Sequence, residues 1–163
     1  MSDLLKAVAY VLSNEGGFVD NPSDKGGPTK FGITLPVLSE YLGHPCDLED
    51  VKNITQGVAS DIFKKNYWEV IGLNQIQSDG VATAVLDMAV NRGVQKATDY
   101  AMLTLSKMNA ASLGAAHPET FIRIFAGLIH NGYQLIVEKH PENEPFLKGW
   151  LARADRLLTL IDT

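Results

Sequence analysis

The run Val81-Ala-Thr-Ala-Val-Leu-Asp-Met-Ala-Val90 sets the strongest limit on how this chain can fold. Wound as a helix, Val81, Ala82, Ala84, Val85, Leu86, Met88, Ala89 and Val90 leave almost no polar face. A helix that is apolar all round has to be surrounded by other elements. Ser78 or Asp79 is placed to open it, and Asn91-Arg-Gly93 to end it. The rest of the chain has to wrap this central helix.

The flanking segments carry the pattern needed for that role. Apolar residues at 4, 5, 8, 11 and 12 predict an amphipathic helix over about 3–14, with Gly16 or Gly17 as a left-handed cap. Residues 18–34 read as an irregular loop with room for a short β-hairpin at Phe31-Gly-Ile-Thr34. Thr34 and Pro36 open a short helix that ends near Gly43. Thr55 caps another, with Val58, Ala59, Ile62 and Phe63 facing inward, and it runs into Asn66-Tyr-Trp-Glu69. Further helices are expected from about 94 to 108, 118 to 139 and 146 to 161, the last two separated by Pro141-Glu-Asn-Glu-Pro145. No internal repeat or linker interrupts the series. Residues 1–163 therefore read as a single, mainly α domain, a length that suits one sizeable core.

Composition removes several classes of function. The net charge is −5 with no Lys/Arg cluster, so nucleic acid is not an expected partner. The four histidines have no paired spacing on one helix face, which argues against a metal site. Cys46 is the only cysteine and reads as a small apolar filler. Asp3 and Lys6 interrupt the N-terminal apolar residues, so a secretory signal is not expected, and no stretch reaches transmembrane length. These readings predict synthesis in the cytoplasm without membrane insertion.

Chemistry concentrates where the first helix stops. Glu15 lies four residues after Val11 and three after Leu12, so it extends the apolar stripe toward the core side. A carboxylate there meets the negative end of the helix dipole and partial burial, both of which favour its protonated form and suit a general acid. The adjacent glycines leave room for a bulky substrate. Asp24 follows nine residues later on a loop able to fold back, and Thr29 and Thr34 add hydroxyls. The residue types alone leave a second reading open. Glu15 is then an ordinary helix-end acid, and Asp20, Asn21, Ser23 and Asp24 are turn formers. The loop matches neither an EF-hand nor a phosphate-binding loop.

The whole run Glu15-Gly-Gly-Phe-Val-Asp-Asn-Pro-x-Asp-x-Gly-Gly-x-Thr-x-Phe-Gly-Ile-Thr34 resembles the N-terminal signature of glycoside hydrolase family 108, bacterial and phage N-acetylmuramidases. The resemblance continues through Ile62-Phe-Lys-Lys-Asn-Tyr-Trp-Glu69 and Asp87-Met-Ala-Val-Asn-Arg-Gly93 to Gly149-Trp-Leu-Ala-Arg153. It implies a lysozyme-like helical fold, cleavage of the peptidoglycan glycan, and catalysis by Glu15. The segment is similar, more loosely, to phage-type lysozymes, where a Glu, an Asp and a Thr follow one another in the order of Glu15, Asp24 and Thr29. Here Thr29 comes one residue early.

Six further positions bear on the substrate or the core around it. Asp87 and Asn91 share a face of the central helix, where an internal hydrogen bond and a C-cap explain Asn91 as well as a site does and Asp87 better. The resemblance to the Asn-x-Gly segment lining lysozyme clefts turns Asn91 toward substrate. Tyr67 and Trp68 could stack on a sugar; Tyr67, with its hydroxyl, is the sugar-contact candidate and Trp68 the core residue. Trp150 reads as core and Arg153 as its structural neighbour.

The resulting expectation is a muramidase that cleaves the β-1,4 bond between N-acetylmuramic acid and N-acetylglucosamine. Its candidate catalytic residues are Glu15, Asp24 and Thr29, and its candidate binding residues Asn91, Tyr67 and Thr34. No cofactor and no metal are implied. A monomer is expected, acting on peptidoglycan strands in the periplasm after a holin or export system lets it across. Two rival readings remain at this level: a lytic transglycosylase, and a non-catalytic wall-binding or secretion-accessory protein. Stereochemical outcome stays open.

Overall fold

A computed structural model describes residues 2–19, 27–108 and 117–161. Helix α1 (Leu4–Asn14) opens at Asp3, whose carboxylate accepts from the Leu5 and Lys6 amides. Strands β1 (Thr29–Lys30) and β2 (Ile33–Thr34) form an antiparallel hairpin that pairs Thr29 with Thr34 and Lys30 with Ile33. Helices α2 (Leu35–Leu42), α3 (Leu48–Lys52), α4 (Gln56–Phe63) and α5 (Glu69–Ile71) lead to the central helix α6 (Asp79–Arg92). Then come α7 (Val94–Lys107), α8 (Pro118–Lys139) and α9 (Glu144–Arg156), which ends in a 3₁₀ turn over Leu157–Leu160. The described residues are mainly helical, with the hairpin as the one sheet among them.

The expected central helix is central. The Ser78 hydroxyl caps α6 by accepting from the Val81 amide, and every residue from Ala82 to Ala89 is buried. Helices α1, α7 and α8 and the C-terminal 3₁₀ turn all pack against it. The core includes Val8 and Val11 of α1, Ile62 and Phe63 of α4, Leu86 of α6, and Ile122 and Phe125 of α8. Trp68 joins this core at 3% exposure. Trp150 packs against its edge and stacks between Phe146 and Tyr133.

Caps account for most of the boundaries. Thr55 Oγ1 accepts from the Val58 amide to start α4, and left-handed Gly43 closes α2. Thr34 precedes α2 as expected but makes no side-chain cap bond; Pro36 fixes that first turn instead. Three points of the sequence reading are corrected. Neither Gly16 nor Gly17 has positive φ; the chain leaves α1 through Glu15 itself, in extended conformation at φ −85° and ψ 135°. The periodic pattern did not predict α3, whose five residues are too few for a period to show; a reciprocal capping box between Asp47 and Asp50 forms it. The final helix also tightens to 3₁₀ after Arg156 rather than continuing to residue 161.

No helix among the described residues is long and apolar enough to cross a membrane.

Candidate active site

The site is assembled where the end of α1, the hairpin and the middle of α6 meet. The Glu15 amide still donates to the Val11 carbonyl at 3.0 Å, which holds the residue on the last turn of α1. Its extended ψ then swings the chain away toward Val19, leaving the side chain against the protein.

The hairpin is shaped to receive that carboxylate. Phe31 and Gly32 form its two-residue turn, with φ of 55° and 75°. Positive φ at both turn positions matches the right-handed twist of the paired strands. It is an unusual burden for Phe31, since a left-handed residue with a Cβ costs about 1–2 kcal/mol. Gly32 has a second reason to be glycine. A Cβ built there would sit 3.0 Å from Glu15 Oε2 and 3.6 Å from Val90 Cγ1. The turn therefore lies directly on the carboxylate, with α6 behind it.

The other carboxylate oxygen is held from across the fold. Arg153 on α9 donates from Nη2 to Glu15 Oε1 at 2.7 Å. The same guanidinium takes Asp87 in a fork, Nε to Oδ2 at 3.0 Å and Nη2 to Oδ1 at 2.9 Å. Asn14 Nδ2 donates to Asp87 Oδ1 at 3.1 Å, and Arg156 Nε donates to Asn14 Oδ1 at 2.8 Å. Side-chain exposures of 13% for Glu15, 12% for Arg153 and 3% for Asp87 make this a largely dry cluster. Two carboxylates on one guanidinium need such bonding, because an unpaired buried charge is strongly unfavourable. Burial works against the charge of Arg153, yet Asp87 first and Glu15 second outweigh it, so its pKa lies above the ordinary arginine value.

Tyr67 is close enough to Glu15 to feel its charge. Helix α4 runs into a π turn over Lys64–Trp68, which carries Tyr67 half-buried with its ring edge-on to Phe63 at 6.1 Å. Burial and then the charge of Glu15 push the Tyr67 phenol upward, so its hydroxyl keeps its proton beside the carboxylate.

Thr29 and Thr34 are cross-strand partners on the hairpin. Thr29 also exchanges backbone hydrogen bonds with Val19, at 2.8 and 2.9 Å, so it ties down one end of the segment that carries the acidic loop. Asp24 lies outside the described residues. Asn91 is exposed at the end of α6, and its Oδ1 accepts from the Tyr133 hydroxyl at 2.9 Å. Asp87 and Asn91 share a face yet serve different partners, Arg153 and Asn14 for the first and Tyr133 for the second. The hydrogen-bonding reading of Asp87 stands. Sequence reading missed Arg153 as a site residue. The signal that could have found it is an arginine on the apolar stripe of Trp150, Ala154 and Leu157, in a chain whose Glu15 and Asp87 both point inward and need a counter-charge.

Comparison with known proteins adds a lineage to this geometry. The family described as Glycosyl hydrolase 108 matches residues 8–93, which takes in Glu15, the hairpin and all of α6. Among solved structures the fold is similar to Brucella abortus SagA, at 29% identity and a TM-score of 0.76, covering 96% of this chain and 91% of that one. A comparison with curated proteins found no match. With the family match spanning over half of its length and the same fold extending through the rest, the chain belongs to glycosyl hydrolase family 108 and is a glycoside hydrolase.

Proposed function

We propose that this glycoside hydrolase is an N-acetylmuramidase of peptidoglycan, cutting the β-1,4 bond between N-acetylmuramic acid and N-acetylglucosamine. The observation that carries this reading is the placement of Glu15. One largely buried carboxylate sits at a helix end, against a glycine turn on one oxygen and Arg153 on the other. A general acid has to be held in one orientation and shielded from bulk water, and both conditions are met at this position.

In the proposed reaction Glu15 gives its proton to the glycosidic oxygen as the C1–O bond breaks. Positive charge grows on the sugar, water adds to C1, and the proton that water releases restores the acid form of the site for the next turnover. Arg153 keeps the carboxylate aimed and stabilises its charge once the proton has left. Asp24 is proposed to orient the water or stabilise the cationic sugar, and Thr29 to help hold that water. Tyr67, Asn91 and Thr34 are proposed sugar contacts. Tyr67 is favoured among these because its phenol feels the Glu15 charge and, being raised, keeps its proton for donation to substrate. The chain is proposed to act as one monomeric domain on strands in the periplasm, reached through a holin or an export system.

The test is mass spectrometry of purified peptidoglycan digested by the protein and by Glu15→Gln. Reducing muramic ends from the native protein and intact strands from the variant are expected. Ends in 1,6-anhydro-muramic acid would make the protein a lytic transglycosylase instead. Binding without any new ends would make it a non-catalytic wall-binding protein.

A further inference from the structure

A proton donor in contact with a guanidinium is a chemical conflict, because a cation at hydrogen-bond distance favours the ionised carboxylate. Arg153 Nη2 stands 2.7 Å from Glu15 Oε1, and both side chains are largely buried, so water screens little of that charge. Asp87 removes the conflict. Two of the bonds from Arg153 to carboxylate oxygens go to Asp87, Nε to Oδ2 at 3.0 Å and Nη2 to Oδ1 at 2.9 Å, and one goes to Glu15. A two-bond fork of this kind is the stronger attachment. Against the effect of burial, Asp87 also does more than Glu15 to hold the charge on Arg153.

Among the described residues, the elements around Glu15 bring no other carboxylate to Arg153. From α1 come the neutral amide of Asn14, which donates to Asp87 Oδ1, and Tyr10, whose phenol burial pushes upward while it also feels Asp87, Arg156 and Arg153. Arg156 of α9 is one residue removed, bonded to Asn14 Oδ1. The π turn supplies Tyr67, which keeps its proton. The hairpin supplies the Gly32 turn, while its Lys30 ammonium donates to the Lys52 carbonyl. One cation and one fixed anion therefore stand beside one carboxyl group that can gain or lose a proton. With Oε1 accepting from Arg153, that proton belongs on Oε2, the oxygen on the Gly32 side.

We propose that Asp87 is a positioning residue for the reaction: it takes up the charge of Arg153, so that the guanidinium aims Glu15 without stripping its proton. The inference rests on the reading of Glu15 as the acid and deepens it. Without Asp87, Glu15 becomes the sole counter-charge of a buried arginine, and the pair is held in its ionised form. Aim and protonation of the acid are thus served by different residues. Arg153 supplies the first, and Asp87 preserves the second.

The test is an NMR titration of the isotope-labelled Glu15 carboxyl, assigned by its loss in Glu15→Gln, in the native protein and in Asp87→Asn. The amide keeps an acceptor for Arg153, and Glu15 remains to balance the charge, so the variant is expected to fold. Its Glu15 midpoint should lie lower by about 1 pH unit or more, the effect of an unshared cation on a carboxylate. Hydrolysis of peptidoglycan should then fall about tenfold above the native midpoint and stay near native on the acid side. An unmoved midpoint overturns the proposal, as does a loss equal at every pH, which is what a purely structural role produces. If the single variant does not fold, Asp87→Asn combined with Arg153→Gln removes both charges, and its midpoint is expected within about 1 unit of native. A larger rise would mean that Arg153 acts uncancelled on Glu15 in the native protein, and overturns the proposal as well. The titration needs no substrate. Failure of the native protein to digest peptidoglycan would refute the muramidase reading, whereas the midpoints decide the role of Asp87.

Discussion

Arg153 Nη2 lies 2.7 Å from Glu15 Oε1 while its guanidinium forks onto Asp87, joining residues 138 and 66 positions apart in the chain. One cation therefore serves two carboxylates in a dry site. Replacing Arg153 with Met leaves Asp87 buried without its charge partner and should cost about 3–5 kcal/mol of stability. Arg153→Lys keeps a charge but loses the fork, at about 1 kcal/mol for each missing bond. Urea unfolding of both variants checks the order; a Met variant as stable as the native protein would contradict it.

Glu15→Gln should behave in the opposite way. The amide oxygen can still accept from Arg153, and Arg153 with Asp87 is already a neutral pair, so folding should be unchanged or slightly improved. Hydrolysis should drop by at least about 100-fold with the transferable proton gone. Asp24→Asn should do less harm if Asp24 tunes electrostatics, and comparable harm if it activates water. Turnover of purified peptidoglycan with parallel melts separates these outcomes, and near-normal turnover by Glu15→Gln would end the proposed mechanism.

Gly32→Ala places a Cβ at φ 75° and 3.0 Å from Glu15 Oε2. The backbone strain should cost about 1–2 kcal/mol. Activity should fall further than stability, because the clash displaces the proposed acid. Comparing kcat with the thermal melt reads both; a loss in melting temperature with full turnover in the folded fraction would show that the turn does not aim Glu15.

Asn91→Ala removes the acceptor of the buried Tyr133 hydroxyl, for which about 1–3 kcal/mol is expected. Tyr133→Phe removes the donor as well, so the double variant should be less destabilised than the two singles added together. If Asn91 also touches the sugar, KM rises in Asn91→Ala and stays near native in Tyr133→Phe.

Alkaline pH offers an independent check on burial. Desolvation raises the phenols of Tyr67 and Tyr133 above their ordinary 10.0, with the Glu15 charge adding to the effect on Tyr67. Their contribution to stability is fully present below the unfolded value of 10.0 and is lost as pH rises through the higher folded values. Ultraviolet titration should show Tyr67 and Tyr133 among the late-ionising phenols, with Tyr10 and Tyr41, which are also raised, and unfolding midpoints should begin to fall above pH 10.0. Tyr67→Phe and Tyr133→Phe should each remove one late phenol.

Local rules carried the sequence reading a long way. The all-round apolar run of α6 required a surrounding bundle, and starts expected at Thr55 and at Ser78 or Asp79 are ones the fold keeps. The stripe of α1 turned Glu15 inward, because helical phase is fixed by residues three and four positions away. Tertiary structure decided what met that carboxylate. Gly32 was legible as turn-forming, but its closeness to Glu15 depends on how the hairpin lies across α6. Arg153 read as a neighbour of Trp150, since its own helix shows only an apolar stripe around it. The pairing with Glu15 and Asp87 exists only after α9 docks beside α1 and α6. A buried charge specifies that it needs a partner, and long-range packing alone determines which residue arrives.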